Sequence, residues 1–238
     1  MSKSGITVLL SAILLAATSA WTADSTAAKA DERLVQSGEV FRQIMDTPDK
    51  GIPQDLVERS LCIGIIPGVK KVAFVVGGSH GAGYVLCRRN SGRGPWGPPA
   101  AFSISGGSVG FQIGASETDL VLLFMNEDGM RSLLEDKFTL GADASVAAGP
   151  VGRSAEADTD AKMTAKVLSY SRSKGVFAGI ALDGAVLKPS PEDNREIYGR
   201  SISARELLLD GHVAPPAGAN SLLQTLDRYS AMQTKKPY

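Results

Sequence analysis

The chain has 238 residues, of which 43% are hydrophobic and 21% are charged, a composition usual for a globular protein. Its lysines and arginines number 25, as do its aspartates and glutamates, so the formal net charge is zero. Because nucleic acids are held by an excess of positive charge, this balance argues against a nucleic-acid partner.

Residues 1–20 have the layout of a secretory signal peptide. Lys3 precedes an apolar run from Ile6 to Ala17, and small residues follow the run. The run is too short to cross a bilayer comfortably. We expect cleavage after Ala20, or alternatively after Ala30, and an uncleaved membrane anchor is the other alternative. A protein exported in this way is periplasmic or secreted and works in an oxidising compartment.

The two cysteines matter more in such a compartment, because Cys62 and Cys87 could form a disulfide there. A simple meander of strands near residues 61–66, 71–76 and 82–88 would place the cysteines two strands, or roughly 10 Å, apart. That separation is too large for a disulfide. The bridge is therefore expected only if the first of these strands lies next to the third.

Helices are predicted at both ends of the exported chain. At each end, apolar residues recur with helical spacing, and proline or capping residues mark where several of the helices begin or end. Ser203 and Glu206 have the spacing of a capping box. The helices predicted at the ends are Asp31–Asp46, Gln54–Ser60, the segment that the capping box begins, and Gly218–Thr234. One further helix, near Asp128–Asp136, is predicted to interrupt the middle of the chain.

Between these helices the chain is a succession of short apolar runs separated by glycine or proline. Such spacing is typical of an antiparallel sheet, sandwich or barrel rather than of βαβ units. The fold class predicted is α+β, with a glycine-rich antiparallel β-sheet or barrel-like core, helices at the N- and C-terminal ends, and a single domain over residues 31–234. The first six runs are LCIGIIP, KVAFVVGG, GAGYVLCRR, PAAFSISGG, SVGFQIGAS and TDLVLLFMN.

The segment GGSHGAG, from Gly77 to Gly83, is the first candidate for a chemical role. A Walker-type phosphate loop needs a Gly-Lys pair, which the chain lacks. A dinucleotide-binding loop opens a helix, whereas these glycines lead into the strand-like residues Tyr84 to Leu86. We therefore predict the loop of a hairpin at Gly78–Gly81, with Gly83 at a bulge or a close approach of two backbones.

His80 lies at the tip of this predicted loop, and His212 lies in a separate turn. A general base needs an orienting partner, which the sequence does not reveal, so a hydrolase that uses His80 is a remote alternative. Two scattered histidines and two cysteines match no zinc pattern. We expect no enzymatic activity, no metal site and no cofactor.

Two groups of basic residues form the remaining candidate site. Strand alternation in DAKMTAKVLSYSRSKG would place the first group on one face. A hairpin centred on Ser79 would bring residue 71 near residue 88 and so assemble the second group. Each cation contributes roughly 1 kcal/mol near an anionic membrane surface, and the alternative is ordinary solvated side chains. The candidate lipid-binding residues are Lys162, Lys166, Arg172 and Lys174 in the first group and Lys70, Lys71, Arg88 and Arg89 in the second.

Long motifs in the middle of the chain resemble the SYLF domain family, lipid-binding and actin-regulating modules that occur from bacteria to animals. The resemblance runs from about Ile52 to Tyr198. It is carried above all by the pattern GxxxGFQxGxxxxD, from Gly106 to Asp119, and by the segment FTLGADASVAAGPVGR. The chain is identified as a member of secreted, bacterial type.

The resemblance implies a non-catalytic domain. Eukaryotic members bind membranes that contain phosphatidylinositol lipids, partly through a basic N-terminal segment, and some bind actin. Here the corresponding helix, Asp31–Asp46, mixes acidic and basic residues, which makes it a poor polybasic anchor. A secreted protein would not meet cytoplasmic actin, so actin binding is expected to be doubtful.

The function predicted is non-catalytic binding of anionic phospholipid headgroups, in the cell envelope and peripheral to a membrane. The alternative is a structural or interaction module of the envelope with a protein partner.

Overall fold

The structure, a computed structural model, describes residues 28–47, 51–73, 76–92, 94–109, 114–151, 165–173, 176–179, 182, 184–210 and 212–230. The predicted signal peptide and its cleavage site after Ala20 lie outside these residues. Of the helices among the described residues, none is long and apolar enough to cross a membrane.

Helices lie toward both ends of the chain and strands occupy its middle. The helices are α1 (residues 28–45), α2 (Gln54–Arg59), α3 (Arg89–Gly92), α4 (Glu127–Ser132), α5 (Pro191–Tyr198) and α6 (Asn220–Ser230), with a π-helical turn at Glu206–Asp210 and a 3-10 turn at Ala217–Ala219. The strands are β1 (Cys62–Ala73), β2 (Val76–Cys87), β3 (Ala100–Val109), β4 (Gly114–Phe124), β5 (Phe138–Thr139), β6 (Val146–Ala148), β7 (Val167–Ser173), β8 (Val176–Gly179) and β9 (Val186–Pro189).

The strands form one nine-stranded sheet in the order β5-β9-β3-β2-β1-β4-β7-β6, with β8 paired to β7. Neighbouring strands are antiparallel, apart from the parallel pair of β6 with β7. The predicted α+β class, with an antiparallel core and helices at both ends, is confirmed.

Both faces of this sheet bury apolar side chains, because alternate residues of a strand point to opposite faces. One face, which we call the helix face, packs Ile63, Tyr84 and Val121 against α1, α2 and α6. The opposite face packs Phe102 and Leu122 against the chain around Leu133, Phe138, Ile202 and Leu207. The core is therefore two layers of side chains on either side of the central strands.

The six short runs predicted as strands are four long strands instead. β1 continues from Cys62 through Lys71 to Ala73, and β2 contains the whole GGSHGAG segment. The predicted hairpin loop at Gly78–Gly81 was therefore wrong, since Gly78 pairs with Val72 and Lys71 pairs with Ser79. The register of β1 changes between Ile65 and Lys70, so the chain absorbs an irregularity there without turning back.

The glycines of β2 allow this irregular part of β1 to approach closely. A Cβ atom on Gly83 would lie 2.1 Å from the carbonyl oxygen of Ile65, and one on Gly81 would lie 2.7 Å from Cγ2 of Val69. The close approach predicted at Gly83 is confirmed. Glycine occurs here because a neighbouring backbone occupies the space of a side chain.

Cys62 and Cys87 face each other in the β1–β2 register and form a disulfide. Both are buried. The sequence analysis expected this disulfide only if the first predicted strand lay next to the third. The structure meets this condition, because those two segments belong to the neighbouring strands β1 and β2. The bridge clamps the end of the hairpin opposite to its turn.

Near the C-terminus, one helix start is confirmed and one helix was missed. The Glu206 N–H donates to Oγ of Ser203 at 3.1 Å, as the capping box predicts. α5 was not predicted, although Pro191 lies in its first turn and Gly199, with a φ of 66°, follows its last residue. These are ordinary signals of helix boundaries, and they could have located α5.

Candidate functional site

The two predicted groups of basic residues do not come together in the structure. Lys71 pairs with Ser79, whereas Arg88 follows Cys87 at the far end of the same hairpin. Arg88 lies nine positions after Ser79 along extended strand, which corresponds to roughly 30 Å. The predicted proximity of residues 71 and 88 was wrong, because it depended on a hairpin turn at Ser79.

Arg88 and Arg89 lie among core elements rather than on an open surface. The Arg88 guanidinium stacks over the Trp96 ring at 4.3 Å from its centroid, and both arginines are half-buried. Burial lowers the pKa of Arg88, while nearby Asp227 and Glu58 oppose that shift. Arg88 therefore stabilises the contact between β2 and the Trp96 segment.

The group predicted from strand alternation contains four cations, and two of them are paired with carboxylates. Arg172 forms a salt bridge with Asp119 at 2.7 Å, and Lys166 lies 3.4 Å from a carboxylate oxygen of Asp128. Lys162 and Lys174 fall outside the described residues. The two described members of this group are thus already engaged by acidic side chains.

The salt bridge with Arg172 explains the role of Asp119, the aspartate that ends the pattern GxxxGFQxGxxxxD. One Asp119 carboxylate oxygen accepts a hydrogen bond from the N–H of Gly68 at 2.9 Å, and the other accepts from Arg172. Gly68 has a φ of +57°, which favours glycine, and it lies within the irregular part of β1. Arg172 also donates to Gln43 of α1. Asp119 therefore holds β1, β7 and α1 together, a structural role that sequence reasoning missed.

Lys70 and Lys71 differ from the other candidates because both are exposed at one end of the sheet. β9 pairs with β3 from Phe102 to Ser105, and β7 pairs with β4 from Asp119 to Phe124, whereas the four central strands continue beyond those pairings. We call this continuation the apex, and it consists of residues 70–73, 76–80, 106–109 and 114–117.

The two lysines of the apex point to opposite faces, as adjacent strand residues do. Lys70 pairs with His80 on β2 and with Glu117 on β4, so these three side chains share the helix face. Lys71 points to the opposite face. Within the described part of the chain, neither lysine forms a salt bridge. The apex thus presents a cation on each side of a thin sheet.

His80 is exposed beside Lys70 and Ser105. A catalytic histidine needs a hydrogen-bonded partner that orients its ring. In the described ranges no side-chain hydrogen bond joins His80 to a carboxylate. The structure therefore adds no support to a hydrolase that uses His80.

The second histidine lines a surface cavity of about 590 Å³ together with Tyr198, Arg200, Glu206 and Asp210. Arg200 pairs with Glu206 at 3.2 Å, and the Tyr198 hydroxyl donates to the carbonyl of Pro99 at 2.6 Å. Two of its charged groups thus already neutralise each other. No cluster of three or more metal-ligating His, Cys, Asp or Glu side chains occurs where the structure describes the chain.

A family model described as Ysc84, Las17-binding protein actin regulator, matches residues 105–229 of the chain. The match begins within β3, includes β4 with Asp119, and ends within α6. The chain belongs to this family. The resemblance to SYLF domains inferred from the sequence motifs is thereby confirmed.

Relatives of this Ysc84 domain include proteins of yeast and vertebrates. LAS seventeen-binding protein 3 of Saccharomyces cerevisiae is 35% identical over 182 residues, which are 75% of this chain and 39% of the relative. SH3 domain-containing YSC84-like protein 1 of Xenopus laevis is 37% identical over 185 residues, 77% of this chain and 54% of the relative. Protein YSC84 of Saccharomyces cerevisiae is 35% identical over 204 residues, 84% of this chain and 42% of the relative.

This Ysc84 domain therefore spans about half, or less, of the length of these relatives. The name of the first of these relatives describes it as a binding protein. The family description as an actin regulator weighs against our expectation that actin binding is doubtful.

Proposed function

We propose that this Ysc84 domain binds anionic phospholipid surfaces without catalysing a reaction, and that the apex is the part that meets them. The observation that carries the proposal is the pair of exposed lysines, Lys70 and Lys71, on the two sides of the thin sheet end. Cations held in water near a negatively charged membrane contribute roughly 1 kcal/mol each. Cations already paired with carboxylates contribute less, so Lys166 and Arg172 take a minor part.

The proposal revises the set of lipid-binding residues predicted from the sequence. Arg88 and Arg89 leave the set, because they are half-buried among core elements. Lys162 and Lys174 stay in it as predictions. Glu117 opposes Lys70 across β1 and β4, so the apex attracts headgroups moderately rather than strongly. We expect reversible binding to a membrane surface.

The test replaces the two apex lysines together, Lys70→Gln/Lys71→Gln. Co-sedimentation with phosphatidylcholine vesicles that contain phosphatidylglycerol should show affinity about 30-fold weaker than that of the wild-type chain, because two cations are lost. The matched control is Lys137→Gln/Lys188→Gln, which removes the same charge from exposed positions outside the apex and should bind like wild type. Equal affinities of the two variants would contradict the assignment to the apex, and failure of the wild-type chain to bind would contradict the function.

A protein partner in the actin machinery is the second candidate function. It is favoured by the family description and by the name of the yeast relative, both of which mention Las17 binding. The same variants distinguish the two candidates in a co-sedimentation assay with actin filaments. Pelleting with filaments that is unaffected by Lys70→Gln/Lys71→Gln, with no binding to vesicles, would favour the protein partner.

We further propose that the domain works outside the cytoplasm, in the periplasm or as a secreted protein. The disulfide supports this location, since such bonds persist in oxidising compartments. The apolar N-terminal run after Lys3 supports it independently.

A further inference from the structure

We infer that the apex enters the boundary between headgroups and acyl chains, rather than resting on the membrane by charge alone. The inference rests on the proposed function, because it concerns the same surface and the same ligand, a lipid bilayer. It adds an apolar contact, carried by Val72 and the small residues beside it, to the electrostatic contact of the lysines.

Beyond Lys70, the described side of the apex that belongs to the helix face is apolar and exposed. Val72 is 63% exposed, the largest value among the exposed large hydrophobic residues in the described part of the chain. The strand register places Gly78 and Ala115 on either side of Val72, and Gly107 beyond Gly78. All four are exposed, so they form one flat apolar row across four strands.

Two glycines of this row have no role in the fold that the structure describes. A Cβ on Gly107 would meet nothing within 4 Å, and one on Gly78 would meet only a carbonyl oxygen at 3.9 Å. Neither has the positive φ that requires glycine. Glycine within a strand lowers stability and commonly marks a place where a ligand comes close to the backbone. No contact of the described fold therefore requires glycine at these two positions, where the row is bare.

The distribution of charge along the sequence supports the same conclusion. No aspartate, glutamate, lysine or arginine occurs between Lys71 and Arg88, or between Arg93 and Glu117. An uncharged end flanked by lysines is the arrangement that suits a membrane interface, because lysine stems extend along apolar groups while the ammonium groups stay in water.

Backbone pairing also allows this end to leave water. Each unpaired N–H or C=O costs several kcal/mol inside a bilayer, so an inserting segment must satisfy these groups internally. β1 is paired on both sides at the apex, with β2 at Val72–Gly78 and with β4 at Val72–Ala115, and β2 also pairs with β3 at Gly78–Gly107. β1 and β2, the two inner strands of the apex, can therefore enter an apolar layer with their ladders intact.

The distances match an interfacial depth. From Lys71 to Ala73, where β1 ends, the strand advances roughly 7 Å, and from Lys70 roughly 10 Å. Peripheral segments bury their apolar face about 5–10 Å into the boundary between headgroups and acyl chains. With its lysines at the level of the lipid phosphates, the apex would place Val72 just beneath them.

The occupant is a lipid surface rather than a second copy of the chain. Stacking of two helix faces would cover Val72 but would leave Lys71 on the other side of the sheet without a role. Edge-on entry into an anionic membrane uses both lysines, because it surrounds both faces of the apex with headgroups.

The experiment attaches an environment-sensitive fluorophore to a single introduced cysteine, Val72→Cys. Labelling is selective because Cys62 and Cys87 are joined in a buried disulfide. With vesicles of phosphatidylcholine and phosphatidylglycerol, we expect a blue shift of emission and quenching by lipids that carry a spin label on the acyl chain. The matched control is Lys137→Cys, an exposed position outside the apex, which should show neither change.

An unlabelled variant, Val72→Thr, preserves the shape of the side chain and removes its apolar character. Its affinity for the same vesicles should fall by at least about fourfold, because one buried methyl group is lost and a hydroxyl takes its place. Sedimentation of the vesicles in high salt adds a second readout, because an apolar contact persists when charges are screened.

The possible outcomes distinguish failure of the inference from failure of the proposed function. Binding of the labelled chain without a blue shift at Val72→Cys would overturn insertion and leave the proposed function intact. A blue shift without vesicles that grows with protein concentration would identify a second copy as the occupant and overturn the inference. Absence of any vesicle binding by the wild-type chain would overturn the proposed function and the inference with it.

Discussion

Replacing Gly83 with alanine should lower the free energy of unfolding by about 3 kcal/mol, the upper part of the range for an overpacked core. A Cβ at this position would lie 2.1 Å from the Ile65 carbonyl oxygen and 2.6 Å from the Ile66 Cα. Both neighbours are backbone atoms in the central strand of the sheet, so they cannot rotate away. Strands β1 and β2 would have to separate just where β1 is irregular.

The matched control is Gly107→Ala, a glycine in the neighbouring strand whose Cβ would meet nothing within 4 Å. We expect a change within about 0.5 kcal/mol, or a slight gain, since alanine has less conformational freedom in the unfolded chain. Urea denaturation followed by circular dichroism measures both variants. Equal stabilities of Gly83→Ala and Gly107→Ala would show that the β1–β2 register is not the one described here.

Removing the disulfide in Cys62→Ala/Cys87→Ala should also cost about 3 kcal/mol of unfolding free energy. The bridge joins residues 25 positions apart, so it restricts a long loop of the unfolded chain. Its position adds to the effect, because it closes β1 and β2 at the end of the hairpin where both strands are buried on both faces.

Chemical denaturation with and without a thiol reductant separates the contribution of the covalent cross-link to stability from that of the two cysteine side chains. The wild-type chain should lose its advantage in reductant once unfolding exposes the bridge, whereas the double variant should be indifferent to reductant. Equal stabilities of the two proteins in oxidising buffer would contradict the prediction. A large effect would also support the proposed location outside the cytoplasm, where the bond is maintained.

The candidate site was only partly accessible to sequence reasoning. Lys70 and Lys71 were identified from their charge, and the structure leaves both exposed. Arg88 was grouped with them because a hairpin about Ser79 was assumed, and the true register places it at the opposite end of the strand. Pairing partners distant in sequence, such as Asp119 for Arg172, depend on which strands become neighbours. No local pattern contains that information.

The glycines of the segment GGSHGAG and of β3 also have roles that only the structure reveals. Gly78–Gly81 were assigned to a turn because glycine is common in turns, and Gly83 was assigned to a bulge or a close approach of two backbones. In the structure, Gly81 and Gly83 serve close backbone contact inside a strand, while Gly78 and Gly107 leave an exposed row bare. These roles cannot be separated without the neighbouring strands, since a glycine has the same local propensity in each.

By itself, the sequence determined the α+β class, the helical ends, the capping box at Ser203 and membership of the family, because periodicity, capping chemistry and long motifs are local properties of the chain. The tertiary structure alone decided the length of the strands, the Cys62–Cys87 pairing and the existence of the apex. It also decided which cations are exposed, half-buried or paired with a carboxylate. Those features depend on strand register, which is set by contacts between residues far apart in the chain. A shift of register moves every side chain of a strand to new neighbours, and the surface that meets a partner changes with it.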